Sequence, residues 1–179
     1  MLHEIKHVRE TAKLLYSKAQ VESALDDMAH QINGLLAGTN PLILCVINGG
    51  IIVTGQLLTR LTIPLTVDSI NASRYQNQTV GSTVEWLLEP RTSLENRTVL
   101  IIDDILDAGI TLAAIYDYCL DKGASTVYTA VLLDKVLPNE KPISADFVGL
   151  SVENYYLFGY GMDYKGYWRN ADGIYACVE

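Results

Sequence analysis

The chain has 179 residues, 49% hydrophobic and 19% charged, with a net charge of −8. That is length enough for one domain, residues 1–179, with a sizeable core and no need of disulfides, while the acidic balance excludes an extended nucleic-acid surface, which requires clustered Lys and Arg. A small anionic ligand would therefore be held locally, by backbone amides, a few basic side chains and a divalent cation.

The N-terminal MLHEIKHVRE mixes charge with too little apolar length for a signal peptide. Ser17 and Gln20 form a capping-box pattern, and Val21, Leu25, Met28, Ile32 and Leu35 mark one helix face that Gly38 and Pro41 bring to a stop. A first core strand is expected at 42–47, and Gly49 and Gly50 then lead into a helix through about Arg60. The longest apolar stretch, 41–53, is interrupted by Asn48, Gly49 and Gly50, so it cannot span a membrane. A second strand is expected at 65–70. Residues 71–85 are polar and rich in Gln, Asn, Ser and Thr, the composition of a mobile loop, and Trp86, Leu87 and Leu88 follow. Next come a strand at 98–103, a helix at about 111–121 closed by Gly123, a strand at 126–133 and a short strand at 147–150. Strands and helices alternating at this length imply a parallel sheet covered on both faces, an α/β fold whose ligands bind beyond the carboxyl ends of the strands.

Cys45, Cys119 and Cys177 lie far apart in apolar patterns, which fits small buried hydrophobes better than a disulfide framework or a zinc site. His3 and His7 have helical metal-pair spacing, but no acidic or cysteine partner completes a set. No glycine-rich loop ending in Lys-Ser or Lys-Thr is present, which excludes a P-loop nucleotidase. The expected location is the cytoplasm.

The richest segment is TVLIIDDILDAGIT at 98–111. Val99, Leu100, Ile101 and Ile102 form an uninterrupted, β-branched run, the pattern of a strand buried on both faces and expected to end at Asp103. Adjacent carboxylates repel one another and resist burial, so Asp103 and Asp104 belong in a cleft, accepting from hydroxyls or holding a divalent cation. From Asp107 the chain runs through Ala108, Gly109, Ile110 and Thr111 into a helical pattern, so a tight turn presents successive N–H groups to an anion. Spacing alone leaves a blander reading open, in which an acidic loop ends a strand and caps a helix.

VLIIDDILDAGIT resembles the phosphoribosyl pyrophosphate (PRPP) signature of type I phosphoribosyltransferases. VINGG at 46–50, ASRYQNQT at 72–79, LLDK at 132–135 and FGYGMDYKGYWRN at 158–170 resemble the hypoxanthine-guanine branch, in that family's order. The resemblance implies the type I phosphoribosyltransferase fold, with a small hood formed by about 1–16 and 150–179. It also implies transfer of the phosphoribosyl group to hypoxanthine or guanine, a Mg²⁺ requirement, and a homodimer or homotetramer. In this scheme Asp103 and Asp104 hold ribose hydroxyls and help to place Mg²⁺, and Ala108 to Thr111 take the 5′-phosphate. Asp107 stands near purine N7 as general base. Lys135 donates to the exocyclic oxygen of a 6-oxopurine, Tyr156 stacks on the base, and the backbone of Leu157 reads its edge. Asp163 lies near the base and a second metal, and Arg169 contacts pyrophosphate together with the Asn48, Gly49, Gly50 turn. Two departures stand out. Asn48 replaces a residue that is often basic, and Arg74-Tyr75 replaces the Ser-Tyr of many members, so Arg74 could supply some of the charge missing at Asn48.

Two other readings share some of these features. A regulator of this fold could bind PRPP without catalysis, but Asp107, Lys135 and the aromatic tail are intact. A phospho-accepting receiver domain also pairs acidic residues with a lysine, but it expects the acidic pair near its first strand.

Overall fold

The computed structural model describes residues 1–74 and 84–178. The chain enters through α1 (Leu2–Thr11) and β1 (Lys13–Tyr16), then α2 (Lys18–Leu36), β2 (Leu42–Val46), α3 (Gly50–Leu58) and β3 (Thr66–Arg74). It continues through β4 (Val84–Leu88), β5 (Thr98–Leu106), α4 (Ile110–Asp121), β6 (Thr126–Lys135) and β7 (Phe147–Val152), and ends in β8 (Leu157–Phe158) and β9 (Ile174–Ala176). Six strands form one sheet in the order β4-β3-β2-β5-β6-β7, and three form another in the order β1-β9-β8.

The larger sheet is parallel from β3 through β7, because each of those strands returns through a crossover. Its far edge corrects the expectation of a wholly parallel sheet: β4 pairs antiparallel with β3, Ala72 opposite Trp86 and Arg74 opposite Val84. Residues 71–74 and 84–85, expected to be loop, are therefore strand. Their polar composition hid this, because an antiparallel edge can leave one face in water. Trp86 faces inward and packs on Tyr118 of α4 with ring centroids 4.6 Å apart.

β5 is also longer than expected. Its ladder with β6 does not stop at Asp103 but continues through Ile105 opposite Leu133 to Leu106 opposite Asp134. Carboxylates at 103 and 104 do not break a strand whose backbone bonds are completed by its neighbour, since their side chains leave the ladder plane.

Two apolar layers cover the sheet. One joins α2 and α3 to Ile43, Leu100, Ile102, Leu132 and Phe147. The other joins α4 to Leu42, Leu44, Ile101, Val127 and Val131. Helix α2 has the expected capping box, with Gln20 N–H donating to the Ser17 hydroxyl and Gln20 Oε1 accepting from Ser17 N–H at 3.0 Å. Its buried face runs Val21, Leu25, Met28, Ile32 and Leu36. Leu35, assigned to that face from the sequence, is 54% exposed; the 3.6-residue period puts Leu36, not Leu35, beneath Ile32.

The smaller sheet is the hood, and it draws on both sequence regions expected to form it. Strand β9 pairs antiparallel with β1 on one side and with β8 on the other. Helix α1, absent from the sequence expectation, fastens the aromatic tail. Trp168 Nε1 donates to Ile5 O at 2.6 Å, Arg9 Nη2 donates to the Tyr175 hydroxyl at 2.8 Å, and the Arg9 guanidinium lies 3.8 Å from the Tyr175 ring centroid. The three cysteines are unpaired, and no described helix is long and apolar enough to cross a membrane.

Chemical denaturation followed by circular dichroism should separate two contributions to α2. Ser17→Ala should cost about 1 kcal/mol, the value of a lost N-cap. Leu25→Ala should cost about 2–5 kcal/mol, because it empties a fully buried position.

Candidate active site

The site lies beyond the carboxyl ends of β2, β5 and β6, where a parallel sheet leaves its strand ends open. Asp104 is buried, and its N–H donates to Asp103 Oδ1 at 2.9 Å. Burial, and next the neighbouring Asp104 charge, push the Asp103 carboxyl well above the ordinary carboxylate range; burial raises Asp104 as well, while the Arg169 guanidinium acts in the opposite direction on both. Adjacent acids held at this cost suit a site that receives positive charge.

Two lobes meet at this acidic strand end. The first, a cavity of about 270 Å³, has Asp103, Asp104, Gly49, Thr111 and Arg169 among its walls. Gly109 caps α4 at φ 78°, a left-handed conformation that favours glycine, and no side chain caps the helix. The N–H groups of the 108–111 turn are thus presented to the lobe, and Thr111 adds a hydroxyl.

The second lobe, about 470 Å³, includes Asp107, Lys135, Tyr156, Leu157 and Asp163 in its lining. Lys135 Nζ lies 3.4 Å from Asp107 Oδ2; the lysine side chain is 11% exposed and the aspartate 53%. Asp104, Ile105 and Asp107 line both lobes, so the cavities are adjoining parts of one cleft. Tyr156 is exposed and stands edge-on to Tyr164, with centroids 5.7 Å apart and planes at 81°. Leu157 is buried in β8.

The tail closes over the first lobe. Arg169 donates through Nη1 to Gly161 O and approaches Asp163 Oδ1 through Nη2, both at 2.6 Å. The other Asp163 oxygen accepts from Gly166 N–H at 2.6 Å. Gly161, at φ 112°, crosses so close to the Asn48 turn that a Cβ there would collide with Gly49 O and lie 3.1 Å from Asp104 Cβ. A Cβ on Gly49 would in turn overlap the Asp104 carboxylate, and one on Gly50 would lie 2.6 Å from Ile102 O. The peptide between Ile47 and Asn48 is cis.

The structure thus gathers Asp103, Asp104, Gly49, Gly109, Thr111 and Arg169 around one lobe and Asp107, Lys135, Tyr156, Leu157 and Asp163 around the other. Asn48 is exposed on its turn, with Gly50 buried at the start of α3, and Ala108 and Ile110 flank Gly109. Arg74 ends β3, and Tyr75 lies outside the described residues. Among the described residues no three His, Cys, Asp or Glu side chains converge as a metal cluster, and Asp163 is engaged by Arg169 and Gly166 instead. Sequence reasoning missed Ile105, Asn154, Tyr155 and Met162 as lining residues. Met162 carries no polar signal, whereas Asn154 and Tyr155 could have been found from their position beside Tyr156.

An uncapped helix start beside an acidic pair, opening directly onto a lobe lined by Tyr156, Lys135 and Asp107, is a cleft with room for an anion next to a flat group, the layout of a group-transferring class. Residues 12–165 match the family model described as the phosphoribosyl transferase domain, and the chain belongs to that family. Within it, the chain is 31% identical to the hypoxanthine-guanine phosphoribosyltransferase of Bacillus subtilis over 171 residues, covering 95% of this chain and 92% of that protein. It is 35% identical over 159 residues to the bifunctional protein TilS/HprT of Listeria innocua, covering 88% of this chain; it spans about a quarter of that relative's length, 24%. A hypoxanthine phosphoribosyltransferase from Staphylococcus aureus superposes with a TM-score of 0.86 at 26% identity, covering 93% of this chain and 91% of that one.

The electrostatic cost at the acidic pair gives a measurable sign. A carboxyl whose folded pKa is raised binds more protons folded than unfolded, so stability falls as pH rises from the unfolded carboxylate pKa through the folded one, and the penalty is complete above it. Asp103→Asn should therefore raise the thermal midpoint. The gain should be small near pH 4 and larger at pH 7, at about 2–4 °C for each kcal/mol of repulsion relieved. Differential scanning calorimetry at both pH values checks this.

Proposed function

We propose that the chain transfers the 5-phosphoribosyl group of PRPP to a 6-oxopurine, hypoxanthine or guanine, releasing pyrophosphate and forming the nucleoside 5′-monophosphate in purine salvage. The observation that carries the reading is the Lys135–Asp107 pair, 3.4 Å apart at the junction of the two lobes. On its N7 edge a 6-oxopurine sets the O6 acceptor beside N7, whereas adenine offers an amino donor in place of O6. An ammonium can only donate, and a carboxylate can only accept. Lys135 therefore suits O6, Asp107 suits a proton on N7, and adenine would direct its amino group at the lysine.

During transfer the bond from the anomeric carbon to pyrophosphate breaks and the bond to the purine nitrogen forms. Positive charge develops on the ribose, and the purine loses a proton. Asp107 receives that proton, and until it does so its carboxylate offers negative charge to the cationic ribose. Asp103 and Asp104 accept from the ribose hydroxyls, and the N–H groups of residues 108–111 with the Thr111 hydroxyl hold the 5′-phosphate. Arg169 presents forked donors to pyrophosphate, supported by the amides of the Asn48, Gly49, Gly50 turn and by Arg74 and Tyr75. Asn48 contributes an amide and no charge, which shifts the load onto Arg169. Tyr156 offers a face to the base, and Leu157 and Asp163 complete its surround.

The donor set fits Mg²⁺ shared with substrate, since this ion is commonly held by one or two carboxylates plus phosphate oxygens, and a cation beside Asp103 and Asp104 would oppose the burial that raises their pKa values. When bound, Mg²⁺ would neutralise charge on the departing pyrophosphate. Asp163 joins such a site only by exchanging Arg169 for another partner. A protein at work in the cytoplasm as a homodimer or homotetramer is consistent with this role.

Incubation with Mg²⁺, PRPP and each of hypoxanthine, guanine, xanthine and adenine should give nucleotide with hypoxanthine or guanine. No product with any base refutes the transfer, and adenine as sole acceptor refutes the assignment of Lys135. Asp107→Asn should lower kcat by about 100-fold or more, the scale of a lost general base, with PRPP binding changed much less. Calorimetric titration with PRPP and steady-state rates on the same variant separate the two effects.

A further inference from the structure

Lys141 has no part in the transfer described so far, yet its side chain is almost as enclosed as that of Lys135, at 14% exposure. It lies in the segment between β6 and β7. Its ammonium donates to Leu106 O at 2.8 Å and to Asp134 Oδ1 at 2.5 Å. These acceptors are facing partners in the β5–β6 ladder. Each immediately precedes a residue of the base lobe, Leu106 before Asp107 and Asp134 before Lys135. One cation thus bridges the last rung of the ladder at the point where both functional side chains leave it.

We propose that Lys141 is a positioning residue for the base lobe, fixing the separation of Asp107 from Lys135 and through it the reading of the O6 and N7 edge of the acceptor. The inference rests on the phosphoribosyl-transfer reading above. A parallel ladder holds strands in register but loses its bonds where the strands end; Lys135 is still paired with Val152 of β7, whereas Asp107 lies just past the last rung of β5 and is the less determined of the two. A charge-assisted bond to a backbone carbonyl on one strand and to a carboxylate on the other replaces the missing rung. The stem of Lys141 has a separate task. A Cβ on Gly109 would lie 3.4 Å from Lys141 Cβ and 3.3 Å from Pro142 Cδ, so this segment also backs the phosphate turn. Lys141→Met keeps that stem and removes only the ammonium, so its effect should fall on the base and spare PRPP.

The test is steady-state kinetics on wild type, Lys141→Met, Lys141→Arg, Asp134→Asn and the Met/Asn double variant, with hypoxanthine and adenine as acceptors. Lys141→Met should lower kcat/KM for hypoxanthine by about tenfold to 100-fold, the scale of a small misplacement of reacting groups, with KM for PRPP held within about threefold. The preference for hypoxanthine over adenine should narrow, and Lys141→Arg should recover most of the loss. Because Lys141 and Asp134 act as one unit, the double variant should be no worse than Lys141→Met alone. Wild-type kcat/KM in Lys141→Met overturns the proposal. So does a loss shared equally by PRPP and hypoxanthine that follows a fall in thermal midpoint, and so do losses that multiply in the double variant. If Lys141→Met fails to fold, Asp134→Asn decides: a selective loss for hypoxanthine supports the proposal, and wild-type behaviour overturns it. An inactive wild type refutes the transfer reading and the inference with it, whereas an active wild type with an indifferent Lys141→Met refutes the inference alone.

Discussion

The arrangement of the cleft depends on the register of β5 against β6. Parallel strands released from adjacent rungs leave a sheet in the same direction, so Asp107 and Lys135 emerge side by side although 28 positions separate them in sequence. The same strand carries Asp103 and Asp104 four and three residues upstream of Asp107, and α4 starts three residues downstream at Ile110. The 108–111 turn, the acidic pair and the Lys135–Asp107 pair are therefore placed by one ladder, without any contact from the hood.

What the hood adds is enclosure, and it does so through very short backbone distances. Gly161 passes over the Asn48 turn with no room for a side chain, and the Asn48 turn lies on Asp104 with no more. Glycine permits that approach by having no Cβ, at an entropic cost in the unfolded chain. The result is a stack of tail, turn and acidic strand end in which Arg169 can reach the acidic pair from above. Burial raises the carboxyl pKa values and Arg169 opposes the rise, so the site has its own partial counter-charge before a ligand arrives.

Much of this was legible in the sequence where a local pattern has one physical outcome. The run from Val99 to Ile102 is too continuously apolar to lie anywhere but inside a sheet, and Ser17 with Gln20 can only cap a helix start. The acidic pair and glycine turn that follow the run suffice to locate the cleft at the end of that strand. Features decided by distant partners were not legible. Residues 71–74 and 84–85 read as loop because their composition is polar, and only their pairing at the sheet edge shows them to be strand. β5 runs past Asp103 because its register sets Asp103 opposite Val131 and Leu106 opposite Asp134, and a register between strands more than 20 residues apart has no local signal. Leu35 and Leu36 differ in no property that a sequence displays, so a one-residue error in phase exchanged them. β1 and β9 are short and pair across nearly the whole chain, which no local period announces.

The central position of β9 between β1 and β8 has a consequence for the order in which the protein is made. On a ribosome, the acidic pair, the 108–111 turn and Lys135 are all synthesised before any of the tail. The wall behind Tyr156 and Leu157, however, forms only when residues 174–176 arrive and bridge two strands that cannot otherwise meet. A nascent chain can thus contain both partners of the β5–β6 register while the lobe lined by Tyr156 and Leu157 still lacks the strand that backs β8.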